Sequence, residues 1–219
     1  MEGPGVMSGV VNALIGVVMG LNLWALGTSR LPTLIAVVSL QGTLLGALPW
    51  LMEPGADWRL SAVALATVVV KGWVIPLLLR RAMRAAHVDR EVEPFLGFVP
   101  SLLLGAGGTV AALVLAGAMP VLEEHHGSLL VPGSLASLFT GLVLLMGRSK
   151  AMAQVCGYLI LENGIYLFGL LLIRSMPLLV EAGILLDVTV GVFILGIVVD
   201  RIQRAFDSLD TRKLTVLRE

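Results

Sequence analysis

Three ionisable side chains lie deep inside apolar stretches of this sequence. Glu162 is at the centre of GYLILENGIY (157–166), Lys71 lies within an earlier apolar run, and Asp187 lies within the last one. A charge at the bilayer centre costs roughly 2.5–3.5 kcal/mol on insertion scales, so such side chains must face a partner, a cavity or a neighbouring subunit. Burial disfavours the ionised form of a carboxyl group and a nearby cation favours it, so a site with both influences can exchange protons near neutral pH. These residues predict a proton relay at mid-membrane.

The residues alone leave the roles within this predicted relay open. Glu162 and Asp187 are expected at similar depth on adjacent antiparallel helices, where their carboxyl groups approach each other or share a chain of water molecules. Lys71 is either their counter-charge or an independent relay station. Glu181, near the outer end of the last apolar run, is a fourth candidate. The opposing interpretation is that the buried charges only hold helices together.

The composition places these residues in an integral membrane protein. Of 219 residues, 57% are hydrophobic and only 14% are charged, and the mean hydropathy is +0.95. A soluble domain has about 25% charged residues. A spanning helix needs about 20 apolar residues, and lipid-exposed backbone must satisfy its hydrogen bonds internally. The sequence predicts an all-α protein with seven transmembrane helices, near 6–26, 31–52, 59–79, 98–119, 128–147, 151–173 and 177–200.

The charged residues between the predicted spans set the orientation of the chain. Twelve of the 15 Lys and Arg residues fall on one side, which predicts that the N-terminus is outside and the C-terminus is cytoplasmic. The predicted regions are a four-helix N-terminal region (1–120), a three-helix region (121–203) and a cytoplasmic tail (204–219). Gln41 and Glu162 occupy matching positions if spans one to three and spans five to seven arose by a parallel duplication, which is a hypothesis based on weak similarity.

The sequence gives no indication of a cofactor or a metal in this chain. Cys156 is the one cysteine, whereas a self-contained iron–sulfur cluster needs about four thiolates. Residues 123–126 (EEHH) resemble metal ligands, but adjacent histidines on a short loop rarely converge on one ion, so we expect a solvated loop. The formal net charge is zero, which gives no indication of nucleic acid as a partner.

The last third of the chain resembles a known family. The runs QVCGYLILENGIYLFGLLL (154–172), PLLVEAGILLDVTVGVFILGIVVDRI (177–202) and FDSLDTRKLTVL (206–217) are similar to hydrogenase-4 component E, a small membrane protein of complex-I-like nickel–iron hydrogenases and formate hydrogenlyases. Spans five to seven also resemble the K-type subunit of NADH-quinone oxidoreductase and the C-type subunit of multisubunit antiporters. In the K-type family, glutamates at the positions of Glu162 and Asp187 belong to the hydrophilic axis that moves protons. This sequence has Asp in place of Glu at 187, and the two acids are closer along the chain.

The resemblance implies a non-redox subunit of a proton-translocating complex in a bacterial or archaeal cell membrane. Its implied partners are the lipid bilayer, antiporter-like membrane subunits, membrane subunits similar to the H-type subunit of quinone oxidoreductase, and a peripheral hydrogenase arm that carries out electron transfer. Two alternatives stay open. One is a cation/proton antiporter subunit without a redox partner, and the other is a membrane scaffold in which the buried charges only fix the helix register.

Overall fold

The computed structural model describes residues 4–52, 55, 58–85, 94–118 and 128–171, with side chains of the first helix from Ser8 onward. Every regular element in these ranges is helical, which confirms the all-α prediction for this part of the chain. The elements are α1 (Pro4–Gly27), α2 (Leu31–Met52), α3 (Trp58–Val69), a π-helical turn (Val70–Val74), α4 (Ile75–Ala85), α5 (Phe98–Ala118), α6 (Leu130–Gly147) and α7 (Ala151–Leu170).

Five helical stretches of the described residues are long and apolar enough to cross a membrane. They are Ser8–Gly27, Leu31–Met52, Trp58–Arg84, Phe98–Ala118 and Leu130–Gly147. Each coincides with one of the first five predicted spans, and α3, the π-helical turn and α4 together form the third.

The sixth and seventh predicted spans are not among these five helical stretches. Helix α7 coincides with the predicted sixth span in position but is not among the five apolar stretches, because Gln154, Glu162 and Asn163 lower its hydropathy. The predicted seventh span, which contains Glu181 and Asp187, lies outside the described residues.

The π-helical turn follows from a proline. Pro76 has no backbone N–H to donate to the carbonyl of Gly72, four residues earlier. The hydroxyl of Ser39 on α2 donates to this carbonyl instead, at 2.6 Å. The helix widens by one residue just before Pro76, so that the N–H of Ile75 reaches the carbonyl of Val70. Lys71 therefore lies on a turn whose geometry is set by Pro76 and by a hydroxyl group on the neighbouring helix.

Helices α6 and α7 pack with their backbones close together. A Cβ atom added at Gly164 would lie 2.7 Å from the backbone nitrogen of Leu138 and 2.8 Å from the backbone oxygen of Ser134. Small residues at such contacts allow the close approach of helices in membranes. This packing holds the central part of α7, which contains Glu162, against α6.

Two apolar clusters fill the interior of the bundle. The first joins the C-terminal part of α1 and the N-terminal part of α2 to α4, the end of α6 and the start of α7, through residues such as Leu26, Leu34, Leu79, Leu144 and Ile160. The second joins the opposite ends of α1, α2, α6 and α7 and includes Ala112 of α5, through residues such as Ile15, Leu45, Leu130 and Leu167. The interior between these two clusters contains a group of buried polar side chains.

Candidate functional site

A layer of buried polar side chains separates the two apolar clusters. On α2 it lies between Val38 of the first cluster and Leu45 of the second, and on α7 between Ile160 and Leu167. We call these residues the polar layer: Asn22, Gln41, Lys71, Ser137, Glu162 and Asn163, all at most 7% exposed. Five segments of the chain thus each place a polar group at about the same depth, with apolar packing on both sides.

An ion pair forms the charged part of the polar layer. Lys71 Nζ lies 3.7 Å from Glu162 Oε1, and both side chains are buried. Removing two charges from water costs several kcal/mol per ion, and this cost is recovered only with good geometry and further hydrogen bonds. The pair joins the π-helical turn to α7. Lys71 and Glu162, which the sequence singles out because they are charged residues inside apolar runs, are therefore direct neighbours.

Lys71 has two further contacts on α7. Its ammonium group donates to Asn163 Oδ1 at 3.3 Å and lies 5.4 Å from the centre of the Tyr166 ring. An aromatic face within about 6 Å attracts a cation, and the attraction is stronger where water is excluded. One face of α7 therefore offers the ammonium group a carboxylate, an amide oxygen and an aromatic ring.

Hydrogen bonds extend the polar layer from Asn163 to α2, α1 and α6. Asn163 Nδ2 donates to Gln41 Oε1 in a long hydrogen bond of 3.5 Å, and Gln41 Nε2 donates to Asn22 Oδ1 at 2.8 Å. Asn22 Nδ2 then donates to Ser137 Oγ at 2.9 Å. Gln41 Nε2 also faces the backbone oxygen of Val18 at 3.4 Å. We call Asn22, Gln41 and Asn163 the amide network.

Glu162 has capacity for a further hydrogen bond. Its Oε1 faces Lys71, whereas Oε2 is buried and has no hydrogen-bond partner among the described residues. An unpaired buried polar atom costs about 1–3 kcal/mol and more if it is charged, so such an atom calls for an explanation. A water molecule, a residue of a neighbouring segment or a neighbouring subunit at Oε2 would satisfy the carboxylate.

A glycine allows Lys71 to reach the interior. A Cβ atom added at Gly42 on α2 would lie 2.6 Å from Lys71 Cβ and 3.1 Å from its backbone carbon. Only a residue without a side chain fits there, so α2 approaches the π-helical turn closely at the residue next to Gln41. Ser39, about one turn earlier on α2, holds the carbonyl of Gly72.

The structure brings together two of the four residues predicted for the relay. Lys71 and Glu162 are in contact, in agreement with the counter-charge role considered for Lys71. Asp187 and Glu181 lie outside the described residues. Among the described residues, no group of three or more His, Cys, Asp and Glu side chains could hold a metal ion.

Sequence reasoning missed part of the polar layer. Asn22 and Ser137 are not predicted, because single amide and hydroxyl groups are common in membrane helices and give little signal. Gln41 stands out in the sequence only as a counterpart of Glu162 in the weak duplication, whereas the structure connects it to Asn163. The adjacent pair Glu162–Asn163 is the available signal, since two strongly polar residues in succession are unusual in an apolar run.

A second buried cation lies away from the polar layer. Arg148, counted from the sequence among the cations of the loops, is 2% exposed. Its Nη2 donates to the backbone oxygen of Leu26 at 2.5 Å, and its guanidinium carbon lies 4.4 Å from the centre of the Phe98 ring. Leu26 is in the last turn of α1, where helical carbonyls lack partners within the helix and favour a positive charge. Arg148 therefore connects the end of α1 to the start of α5.

These features define a helical membrane protein with a buried ion pair at the centre of its bundle. The chain is 34% identical to "Uncharacterized protein Rv0085" of Mycobacterium tuberculosis over 193 residues, which cover 86% of this chain and 87% of that protein. It belongs to the same family as this mycobacterial protein.

More distant relatives are named as components of a hydrogenase. The chain is 26% identical to hydrogenase-4 component E of Escherichia coli over 164 residues, covering 74% of this chain and 72% of that protein. The same values hold for hydrogenase-4 component E of Shigella flexneri. Comparison with family profiles gives no match, and no solved structure matches. The distant homology supports the predicted resemblance to component E.

Proposed function

We propose that this protein is a non-redox, multi-pass membrane subunit of a complex-I-like respiratory or hydrogenase complex, and that it contributes a proton-exchanging site to that complex. The observation that carries the proposal is the Lys71–Glu162 ion pair in the polar layer, with Nζ and Oε1 3.7 Å apart. The homology to hydrogenase-4 component E supports the class of complex. The abundance of apolar helices supports a location in the cell membrane.

The chemistry of the pair is the transfer of one proton. The ammonium of Lys71 gives a proton to the carboxylate of Glu162, so that an N–H bond breaks, an O–H bond forms and both groups become neutral. The low dielectric of the interior favours the neutral pair more than water does, and the contacts of Lys71 favour the charged pair. Opposing influences of this kind allow both states to be populated near neutral pH.

A relay also needs an entry and an exit for the proton. The second oxygen of the carboxyl group, Glu162 Oε2, has no hydrogen-bond partner among the described residues. Rotation of the protonated carboxyl group about its Cγ–Cδ bond brings the proton to this position, where a water molecule or a second carboxylate takes it from Glu162. Asp187 is the proposed next acceptor and Glu181 the alternative, and we propose that both lie on a seventh helix followed by a cytoplasmic C-terminus.

The partners and the regions of the chain follow the resemblance. Antiporter-like membrane subunits and subunits similar to the H-type subunit of quinone oxidoreductase would flank the bundle, and a peripheral arm would supply the free energy through electron transfer. The N-terminal region (1–120) would add four helices to a three-helix, K-like region (121–203), and residues 204–219 would form the cytoplasmic tail.

The test replaces the acid with its isosteric amide. Glu162→Gln removes the ionisable group and preserves the shape of the side chain. We expect the purified native complex to keep its electron-transfer activity and to translocate at least tenfold fewer protons per electron. Gln154→Met is the matched control, because it changes a polar residue of the same helix that donates instead to the backbone oxygen of Arg148 at 2.9 Å.

The two results separate a relay from a scaffold. Lost translocation in an intact, redox-active Glu162→Gln complex, with normal translocation in the Gln154→Met complex, supports the relay. Unchanged translocation in both variants would contradict it, and Glu162 would then serve only to hold α7 against the π-helical turn.

A further inference from the structure

The hydrogen bonds of the amide network all run in one direction. Lys71 donates to Asn163, Asn163 to Gln41, Gln41 to Asn22, and Asn22 to Ser137. A side-chain amide can be turned over to exchange its oxygen and its NH2 group, so this direction needs a cause at one end of the network. The ammonium group supplies one cause, because it has only hydrogens to donate.

The backbone of α1 fixes the same direction from the other end. The oxygen of Val18 can only accept, so the Gln41 group that faces it at 3.4 Å must be the NH2 group. The oxygen of Gln41 is then directed at Asn163, and the NH2 group of Asn163 must donate to it. The oxygen of Asn163 is left facing Lys71. This orientation follows from a carbonyl of α1 and does not depend on whether Lys71 has its proton.

We infer that the amide network is a positioning device that stabilises the ammonium form of Lys71 relative to the neutral amine, with the backbone oxygen of Val18 as its anchor and Gln41 as the residue that transmits the orientation. An oxygen held toward Lys71 accepts a hydrogen bond from the ammonium group and stabilises it, because hydrogen bonding to the charged form favours that form. If Asn163 were free to turn, its NH2 group would favour a neutral amine that accepts. The inference rests on the proposed function, because it assigns the regulation of charge in the same site.

The surroundings of Lys71 show which titratable groups respond when its charge changes. Glu162 and Tyr166 are titratable side chains that contact it, both from α7. Helix α2, which packs against the π-helical turn, has no acidic or basic residue between Leu31 and Met52. A change in the charge of Lys71 is therefore reported by the protonation of Glu162, because the carboxylate loses its counter-charge when the amine becomes neutral.

The experiment measures the protonation of Glu162 by infrared spectroscopy on the full-length chain in lipid nanodiscs, with isotope-labelled glutamate side chains. The band of the protonated carboxyl group is assigned to Glu162 by its absence in Glu162→Gln. In Gln41→Met, which keeps the approximate size of the side chain, we expect the midpoint of Glu162 protonation to rise by about one pH unit. Gln154→Met, the same substitution outside the amide network, leaves the midpoint unchanged.

A second pair of variants tests whether Gln41 affects the protonation of Glu162 through Lys71. In a Lys71→Met background, Gln41→Met has no further effect on Glu162 if the network acts on the ammonium group. An equal shift in that background, or no shift of Gln41→Met relative to Gln154→Met, overturns the inference. If Gln41→Met does not fold, Gln41→Leu replaces it with Gln154→Leu as its control. The same upward shift is expected, and no shift relative to Gln154→Leu overturns the inference.

The infrared result is independent of proton translocation. A shifted midpoint together with normal translocation in Glu162→Gln would support the positioning role of the amide network and contradict the proposed function. An unshifted midpoint together with lost translocation in Glu162→Gln would contradict the positioning role of the amide network and support the proposed function.

Discussion

Two buried cations of this protein have contrasting surroundings. Lys71 lies in the polar layer beside a carboxylate, with Nζ 3.7 Å from Glu162 Oε1. Arg148 lies at the ends of α1 and α5, where it binds a backbone carbonyl and stacks on an aromatic ring. A lysine can lose its proton when it is buried, whereas an arginine keeps its charge in proteins. The difference indicates a place for proton exchange at Lys71 and a structural connection at Arg148.

The amide network reinforces this contrast. Lys71 is connected through hydrogen bonds to four helices of the bundle, α7, α2, α1 and α6. Arg148 instead donates to a carbonyl in the last turn of α1. A change of charge at Lys71 therefore alters the hydrogen bonding of much of the interior, whereas Arg148 acts at a helix end. This is the arrangement expected if Lys71 takes part in proton exchange and Arg148 does not.

The largest effect is expected from Lys71→Met, which leaves the Glu162 carboxylate buried without its counter-charge. Breaking a buried pair in this way costs about 3–5 kcal/mol, so thermal unfolding of the purified chain in detergent should occur at a clearly lower temperature. The double variant Lys71→Met/Glu162→Gln removes both charges and should recover most of the loss. A double variant no more stable than Lys71→Met would show that the pair is not the source of the effect.

Arg148→Lys is expected to reduce stability by about 1–3 kcal/mol and to leave translocation per electron unchanged. A lysine preserves the charge but loses the planar group that stacks on Phe98 while donating to Leu26. Thermal unfolding and translocation assays on the same preparation measure both quantities. Arg30→Lys is the matched control, because Arg30 is exposed and the same substitution there should change neither. A loss of translocation in an intact Arg148→Lys complex would remove the contrast between the two cations.

Gly42→Ala is expected to reduce stability by a similar amount, about 1–3 kcal/mol, through a disturbance at the ion pair. The added methyl group would lie 2.6 Å from Lys71 Cβ, and overpacking of this kind forces the neighbouring backbone to move. Gly16→Ala is the control, because a Cβ at Gly16 has no neighbour within 4 Å. Comparison of the two unfolding temperatures checks the prediction, and equal temperatures would show that α2 adapts without cost.

The sequence predicts the helices of the described residues and singles out Lys71 and Glu162, but it leaves their pairing open and predicts little of the rest of the site, for physical reasons. Charges inside apolar runs are costly, so Lys71 and Glu162 stand out without any structure. Asn22 and Ser137 cost much less to insert and acquire meaning only when the bundle brings them together. The two residues are more than 100 positions apart along the chain, a separation that local patterns do not encode.

Burial and helix geometry set two further limits on the prediction. Arg148 follows an apolar run and is typical of a solvated loop residue, but α1 and Phe98 cover it. Pro76 indicates an interruption of the third span, yet whether the helix kinks or widens depends on Ser39 of the neighbouring helix. Both outcomes depend on tertiary contacts.

The most direct test of the central claim is the proton translocation per electron of a Lys71→Arg complex. Arginine keeps a positive charge beside Glu162 but cannot give up its proton at physiological pH. If the site functions through the exchange of a proton within the pair, the complex assembles, transfers electrons and loses translocation by at least tenfold. If translocation is unchanged in the assembled complex, the charge of Lys71 is sufficient, and the claim that the pair exchanges a proton is contradicted.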